Sequence, residues 1–439
     1  MRNLLLYNSN GDFVADQVAA GGDGTKVISS VDAVAWAWTG DGKGNAYYRY
    51  AKPTPENTTS YTVTLKYMDI SGNTVFPNET FNIESYTGTT IEKTFHPKSV
   101  KDGSLVSSCK ECIISVSGDT EFTFVYYPKL EADNQYPFNY QPLTFIVTKA
   151  GTITWKKQED KSSYGFSSHT ISYSKNGGSW TTIASNDVNP PTINVSVGDI
   201  VKFRGNNNAY GGYTTEGGQG GTDYWYWHSF FGGTASFEVF GNIMSLIDSV
   251  NYSSIRQLYN YGFYGLFMGC TGLTCAKYLS LSLYTSDAYS YSYWYMFSGC
   301  HNLLTAPKYI KSTLAYKTCG RMFSDCTNLL EAPEELTINI SNASCQYMFN
   351  NCKNLKSAPV LPAKVLQTDC YYGMFNGCTK LKYVKALFNT TPGASYTGNW
   401  LYGVSANGTF VKSASATWDE SITRGASIVP ENWTIENET

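Results

Sequence analysis

Few residues in this chain have the types and spacing that chemistry needs. The four histidines, His96, His169, His228 and His301, fall in separate stretches of the sequence. No H-E-x-x-H, P-loop, G-x-S-x-G or dinucleotide fingerprint is present. Cys109-Lys-Glu-Cys112 has the CxxC spacing of a zinc or redox site. A structural zinc needs two further ligands, and the nearest histidine is His96. A redox CxxC is expected beside a βαβ pattern, which the flanking strand-like sequence does not supply. The pair is expected in a turn between strands, with oxidation outside the cell left open. Glycoside hydrolysis needs two carboxylates about 5–10 Å apart. Glu331, Glu334 and Glu335 cluster beside Pro333, where a solvated face accounts for them. Asp223, beside the Tyr224–Trp227 block, is the one suggestive acid. The expectation is a non-catalytic protein with no metal and no cofactor.

The other cysteines belong to a repeat. Five copies of a [Leu/Met]-Phe-x-x-Cys-x-x-Leu unit occur, carrying Phe267 and Cys270, Phe297 and Cys300, Phe323 and Cys326, Phe349 and Cys352, and Phe375 and Cys378. The cysteines step by 30, 26, 26 and 26 residues, and Ala-Pro recurs at 306–307, 332–333 and 358–359. Within a unit the apolar residues fall at i, i+3, i+4 and i+7, as in Cys319, Met322, Phe323 and Cys326, the spacing of one helix face. A short strand of the type Leu355-x-x-Ala358-Pro359-x-Leu361 follows, with proline limiting its ladder pairing. A position held by Cys319 and Cys345 is Phe263, Tyr293 or Tyr371 in the other copies, so cysteine serves there as a small hydrophobe. The invariant Cys270–Cys378 ladder is expected to be a buried thiol stack. An odd count of eleven cysteines disfavours a complete disulfide framework.

Composition limits the function classes. Charged residues make up 15% of the 439 residues and aromatics another 15%, with 35 tyrosines and a net charge of -3. A nucleic-acid binder would show a basic excess, and a disordered chain would be poor in aromatics. No run approaches the apolar length of a membrane helix. The start, MRNLLLYNSNGDF, has too short an apolar stretch for a secretory signal. The expectation is synthesis in a cytosol without a signal peptide.

The elements that must position these residues fall into five stretches. Residues 1–55 form a glycine-broken arm that needs a neighbour to pack against. In 56–137, Tyr61, Val63, Leu65 and Tyr67 alternate with polar residues, as do Phe122, Phe124 and Tyr126. In 138–243, strands at roughly ten-residue spacing predict a small β-sandwich, interrupted by a glycine-rich aromatic insertion, Gly205 to Gly233. Residues 244–395 hold the repeats, with one short helix and one short strand per unit stacking into a solenoid. Residues 396–439 are a cap, with Phe410, Val411, Trp418 and Trp433 covering the last core layer. The fold class is therefore multidomain: two small all-β modules, β-grasp-like or sandwich, then an α/β leucine-rich-repeat solenoid.

The repeat units resemble the BspA-like leucine-rich repeats of bacterial surface proteins and of phages infecting gut Bacteroidetes, over about 140 residues. Val63-Thr-Leu-Lys-Tyr67 to Gly72, with Phe122 to Tyr127, resembles a MucBP-type module, which implies a spacer or adhesion unit. The opening Leu4-Leu-Leu-Tyr7-Asn8 is similar to openings of virion proteins of crAss-like phages. These resemblances imply a virion fibre or appendage, on head or tail, that attaches to the host surface. Its arm would bind other virion proteins, and it would assemble as a homo-oligomer, with a trimer as one form. The alternatives are a bacterial BspA-like surface adhesin and, less favoured, a glycan-degrading enzyme. Neither nucleic acid nor membrane insertion is expected. The ligand would be a host glycan or protein, contacted by Tyr224, Trp225, Tyr226, Trp227 and His228 or by Tyr289 and Tyr291. Tyrosine and tryptophan give large contact area at low entropy cost. Fourteen of the 35 tyrosines fall between Tyr210 and Tyr295.

Overall fold

Alternating apolar and polar residues bury one face of a strand, and strands dominate the computed structural model of the chain. It describes residues 3–7, 13–18, 36–40, 46–50, 58–86, 90–129, 138–158, 168–216, 223–255, 258–281, 290–310, 316–336, 340–389, 391–418 and 424–438. Among these the helical elements are Ala394–Thr397 and a 3-10 turn, Ile243–Leu246. The protein is nearly all β. No described helix is long and apolar enough to cross a membrane.

Two compact units are present. One comprises residues 1–64, 79–94 and 114–121. It holds a four-stranded sheet in the order Phe13–Val18, Asn3–Tyr7, Ala46–Tyr50, Trp36–Gly40. The other comprises residues 65–78, 95–113 and 122–439.

The sandwich lies in the second unit. One sheet runs Thr181–Ala184, Thr170–Lys175, Ile200–Gly205, Leu143–Lys149, Ser236–Asn242, Leu273–Ser280. The facing sheet runs Thr192–Val195, Gly151–Lys157, Asp223–Gly233, Gly211–Glu216. Phe145 fixes the layer between them, stacked on Phe237 at 4.4 Å and edge-on to Phe231 at 4.9 Å. The stretch expected as an insertion is instead an integral part of the fold. Asp223–Gly233 pairs with Gly151–Lys157 in the register Trp155↔Phe231, and both residues are buried. The glycines that suggested a loop allow close packing within a strand. A Cβ on Gly212 would lie 2.6 Å from the Trp227 ring. The last strand of the first sheet, Leu273–Ser280, is already part of the first repeat and pairs in parallel with Ser236–Asn242.

The repeats depart from the expected helix. Cys319, Met322, Phe323 and Cys326 are fully buried, as their spacing predicts. The backbone that buries them is a ribbon of overlapping turns. Within it Met322 N donates to Cys319 O at 3.2 Å, Ser324 N to Arg321 O at 3.1 Å and Cys326 N to Phe323 O at 3.1 Å. The intervening amides leave the coil. Cys319 N donates to Ser344 O at 2.9 Å, Arg321 N to Gln346 O at 2.8 Å, Phe323 N to Met348 O at 2.8 Å and Asp325 N to Asn350 O at 2.8 Å. Every fourth residue is left-handed, with Lys317, Arg321 and Asp325 at φ 55, 52 and 62°. A right-handed α-helix has no place for such residues. The i, i+3, i+4, i+7 pattern is thus satisfied by a different backbone, because the neighbouring coil accepts half of the amides.

The coils stack in register. Successive phenylalanine rings, Phe267, Phe297, Phe323, Phe349 and Phe375, are separated by 5.4, 5.2, 5.2 and 5.6 Å and are near-parallel. On the strand side, parallel bridges join Cys275 to Thr305 and Thr305 to Glu331, and Ser357 to Tyr383. Copies with Ala-Pro at this point show only bridges and two-residue strands such as Tyr309–Ile310. Copies without the proline keep Leu273–Ser280 and Tyr383–Ala386, as the missing amide of proline dictates. A sixth coil, not evident from the motif, follows: Phe375 N donates to Trp400 O at 2.9 Å and Gly377 N to Tyr402 O at 2.8 Å. Trp400 and Leu401 take the places of Met and Phe, and Val404 that of Cys. Phe410, Val411, Trp418 and Trp433 are buried in the closing segment.

Because each ring contacts one ring above and one below, Phe323→Ala removes two stacking contacts and opens a cavity. A loss of about 3–5 kcal/mol is expected, measurable as a lower urea midpoint.

Candidate functional site

The aromatic block is set by the strand Asp223–Gly233, whose partner Gly211–Glu216 places Tyr213 opposite Tyr226 and Gly212 opposite Trp227. The side chains of Tyr224, Trp225 and Tyr226 lie outside the described residues, as does that of Asp223. Trp227 is half-buried and stacks on His169 at 5.5 Å. His228 is buried, its Nδ1 lying 3.0 Å from Gln158 Oε1. Burial pushes both His169 and His228 down to about 4. His228 is therefore a neutral interior group, not the exposed ligand contact that the sequence suggested.

Tyr289, in the second cluster, lies outside the described residues. Tyr291 is half-buried and stacks on Tyr261 at 5.0 Å. Its neighbours form a column of aromatics interleaved with cations. Lys317 Nζ lies 5.7, 5.4 and 5.2 Å from the rings of Tyr291, Trp294 and Tyr316, and the Arg321 guanidinium lies 4.5 Å from Tyr347. The protein's own cations occupy these ring faces, an arrangement worth about 0.5–2 kcal/mol per contact.

All ten phenylalanines and cysteines of the repeat ladder are buried, and all eleven cysteines are free thiols. The ladder has a hydrogen-bonding role that spacing did not reveal. Cys300 Sγ donates to Phe267 O at 3.0 Å, Cys326 Sγ to Phe297 O at 3.1 Å, Cys352 Sγ to Phe323 O at 3.1 Å and Cys378 Sγ to Phe349 O at 3.0 Å. Each phenylalanine carbonyl also accepts the amide of its own coil's cysteine, as Phe323 O accepts Cys326 N. A carbonyl has two lone pairs, and both are used. Among the described residues no group of three or more His, Cys, Asp or Glu is placed to hold a metal.

The Cys109–Cys112 loop, taken from sequence as a simple turn, docks on the repeats. Lys110 N donates to Glu331 Oε1 at 3.1 Å, and Lys356 Nζ pairs with Glu111 Oε1 at 2.9 Å. Beside it Ser108 Oγ donates to Glu238 Oε1 at 2.7 Å and Tyr127 OH to Glu238 Oε2 at 3.1 Å. Tyr127 also packs on Phe138, Phe240 and Tyr278. Both parities of Phe124 to Tyr127 are buried, a pattern that marks this strand end for packing on two faces without naming its partners. Burial pushes the Glu238 carboxyl up to about 8, against the opposing pull of its two hydroxyl donors and Lys277.

The coil edge before each strand carries a different chemistry. Lys353, Thr379 and Ser405 hold equivalent positions in successive coils, as do Asn354, Lys380 and Ala406, and Lys356 and Lys382. Lys380 Nζ donates to Asn354 Oδ1 at 2.6 Å, and Lys382 N to Lys356 O at 3.1 Å. Beyond this edge an open cleft of about 270 Å³ lies between Leu401–Ala406 and residues 425–432. Tyr402, at its wall, is 61% exposed.

Two outcomes follow from burial. Burial raises Cys112, Cys270, Cys345 and Cys370 to about 12, and only the thiolate is nucleophilic. A disulfide-exchange reagent at pH 8 should find almost no reactive thiol in the native protein and all eleven after unfolding. Separately, Glu238 binds a proton in the fold between its ordinary 4.5 and about 8. Its contribution to stability is complete below 4.5 and is lost as pH rises towards about 8. Glu238→Gln should flatten that alkaline decline in urea midpoints. An unchanged pH profile would contradict a buried, proton-binding Glu238. No protein-family model matches the chain, and no curated protein or solved structure matches it either.

Proposed function

We propose that the chain is a non-catalytic virion structural protein, a head or tail fibre or appendage, that presents its coil stack for attachment to the host surface. The observation that carries this reading is one continuous apolar core running from Leu143 in the sandwich to Trp433 in the closing segment. A stack of six coils joined to a sandwich without a break in packing is a stiff platform for display. Repeats at a near-constant step, parallel bridges on one side and stacked phenylalanines support reading residues 244–395 as a BspA-like leucine-rich-repeat solenoid, with turn ribbons where helices were expected. Residues 1–55 serve in this reading as the arm that anchors the protein to the particle. The packed rather than exposed state of His228 and of the cysteine ladder favours a structural over a catalytic role for them.

Antibody against the full chain should decorate purified phage particles in electron micrographs, at appendages on the head or tail. The labelled protein should adsorb to intact host cells. Decoration of a bacterial envelope, with none on particles, would replace this reading with that of a surface adhesin. Release of oligosaccharides from host polysaccharide would overturn the non-catalytic assignment.

A further inference from the structure

We propose that the cleft beside Tyr402, together with the lysine-bearing coil edge that leads to it, binds an acidic polysaccharide. This rests on the attachment reading above and names its ligand class. The cleft of about 270 Å³ is smaller than the ~300–1,000 Å³ of drug-sized pockets and suits a single sugar residue. Tyr402 offers an open ring at its wall, being 61% exposed, and aromatic faces stack on the apolar faces of sugars. Glu431 and Asn432 are exposed at the rim, where they can accept and donate hydrogen bonds to hydroxyls. The rim is held in place: Arg424 Nη1 donates to Pro430 O at 3.2 Å and to Trp433 O at 2.6 Å, and Trp433 Nε1 donates to Ser405 O at 2.8 Å. Such preorganisation lowers the ordering cost of binding.

The charge of the neighbouring coils sets the ligand class. Residues 340–389 carry six lysines against a single acid, Asp369, in a chain of net charge -3. Lys356 pairs with Glu111 and Lys385 with Glu438. Among the described residues no carboxylate lies within ion-pairing distance of Lys353, Lys364, Lys380 or Lys382. Lys353 and Lys380 stand in the columns that end at Ser405 and Ala406 of the cleft. The edge and the cleft are therefore one continuous surface. Its coil-to-coil step, 5.2–5.6 Å between ring centroids, is close to the length of one sugar residue in an extended polysaccharide. Carboxylates spaced along such a chain would meet lysines spaced along the edge. Because Glu431 opposes any anionic group at the cleft, the cleft takes the hydroxyl face of a sugar while the carboxylates of the ligand lie over the lysines of the edge.

The test is a glycan array carrying uronic-acid and sialic-acid oligosaccharides beside their neutral counterparts, probed with the full chain, Tyr402→Ala and Lys380→Ala/Lys382→Ala. Thermal melts confirm that each variant is folded. The native protein should retain acidic glycans over neutral ones, and retention should fall as salt rises. Both variants should lose about tenfold or more in affinity. Retention of no acidic glycan, equal retention by the variants, or equal binding of duplex DNA through the same residues would overturn the proposal. Adsorption of the variants to host cells as strongly as the native protein would sink the site while leaving attachment intact. Native protein that adsorbs to no cells yet still binds acidic glycans through Tyr402 would sink the attachment reading and leave the site.

Discussion

Each coil of the stack leaves alternate amides without an acceptor of its own, and the next coil must supply one. This requirement governs the second compact unit. An unpaired buried amide costs about 1–3 kcal/mol, so no coil is stable alone and both ends of the stack need a substitute neighbour. The sandwich supplies the first. Tyr210 N, just before the strand Gly211–Glu216, donates to Gly262 O and Phe231 N to Leu266 O, both at 2.9 Å, so the edge of the sandwich stands where a preceding coil would be. The closing segment supplies the other. Leu401 N donates to Ala426 O at 3.0 Å, and Asn399 N to Ser427 Oγ at 2.9 Å. Sandwich, coils and cap form one bonded series, which explains why a single apolar core runs through all three.

The cysteine ladder follows from the same constraint. The step between coils is fixed by backbone hydrogen bonds and matched by ring stacking. The position after the last left-handed residue of a coil must then hold a small side chain that fills the gap and reaches the carbonyl of the preceding coil. A thiol is apolar enough to bury without a large desolvation cost and still donates weakly. The same position in the sixth coil, Val404, has no equivalent of the thiol donor, and that coil is covered by the cap.

The apolar side of this architecture was legible in the sequence. The period, the stacking face and the core roles of Tyr293 and Tyr371 follow from register alone, because register does not depend on which backbone presents the face. The backbone itself was misread because i, i+3, i+4, i+7 spacing is shared by a helix and by this turn ribbon. A discriminating signal was present immediately before each ladder cysteine. Gly269, Gly299, Asp325, Asn351 and Gly377 all have positive φ, and Gly, Asn and Asp are the residues that adopt it most readily. Five such residues in register argue for left-handed turns, since a helix would disfavour glycine there. The docking of Lys110 on Glu331 and the burial of Glu238 were not legible. They depend on residues more than a hundred positions apart, and no local pattern encodes such a meeting.

On the attachment reading proposed above, that docking restricts where a ligand could bind. The strand side of the middle coils is partly occupied, since Glu331 and Lys356 are engaged by the loop at Lys110 and Glu111. The aromatic column at Tyr291 and Trp294 is engaged by Lys317. A partner at either place would first have to displace a contact that the chain already makes with itself. At the coil edge Lys380 is held by Asn354 Oδ1, but neither Lys353 nor Lys380 faces a carboxylate among the described residues, and Tyr402 at the cleft is exposed. Aromatics concentrate at the tyrosine-rich junction, yet those among the described residues, such as Tyr210, Tyr264, Tyr293 and Trp294, are committed to packing. Exposure and unspent charge, more than aromatic density, point to the far end of the stack.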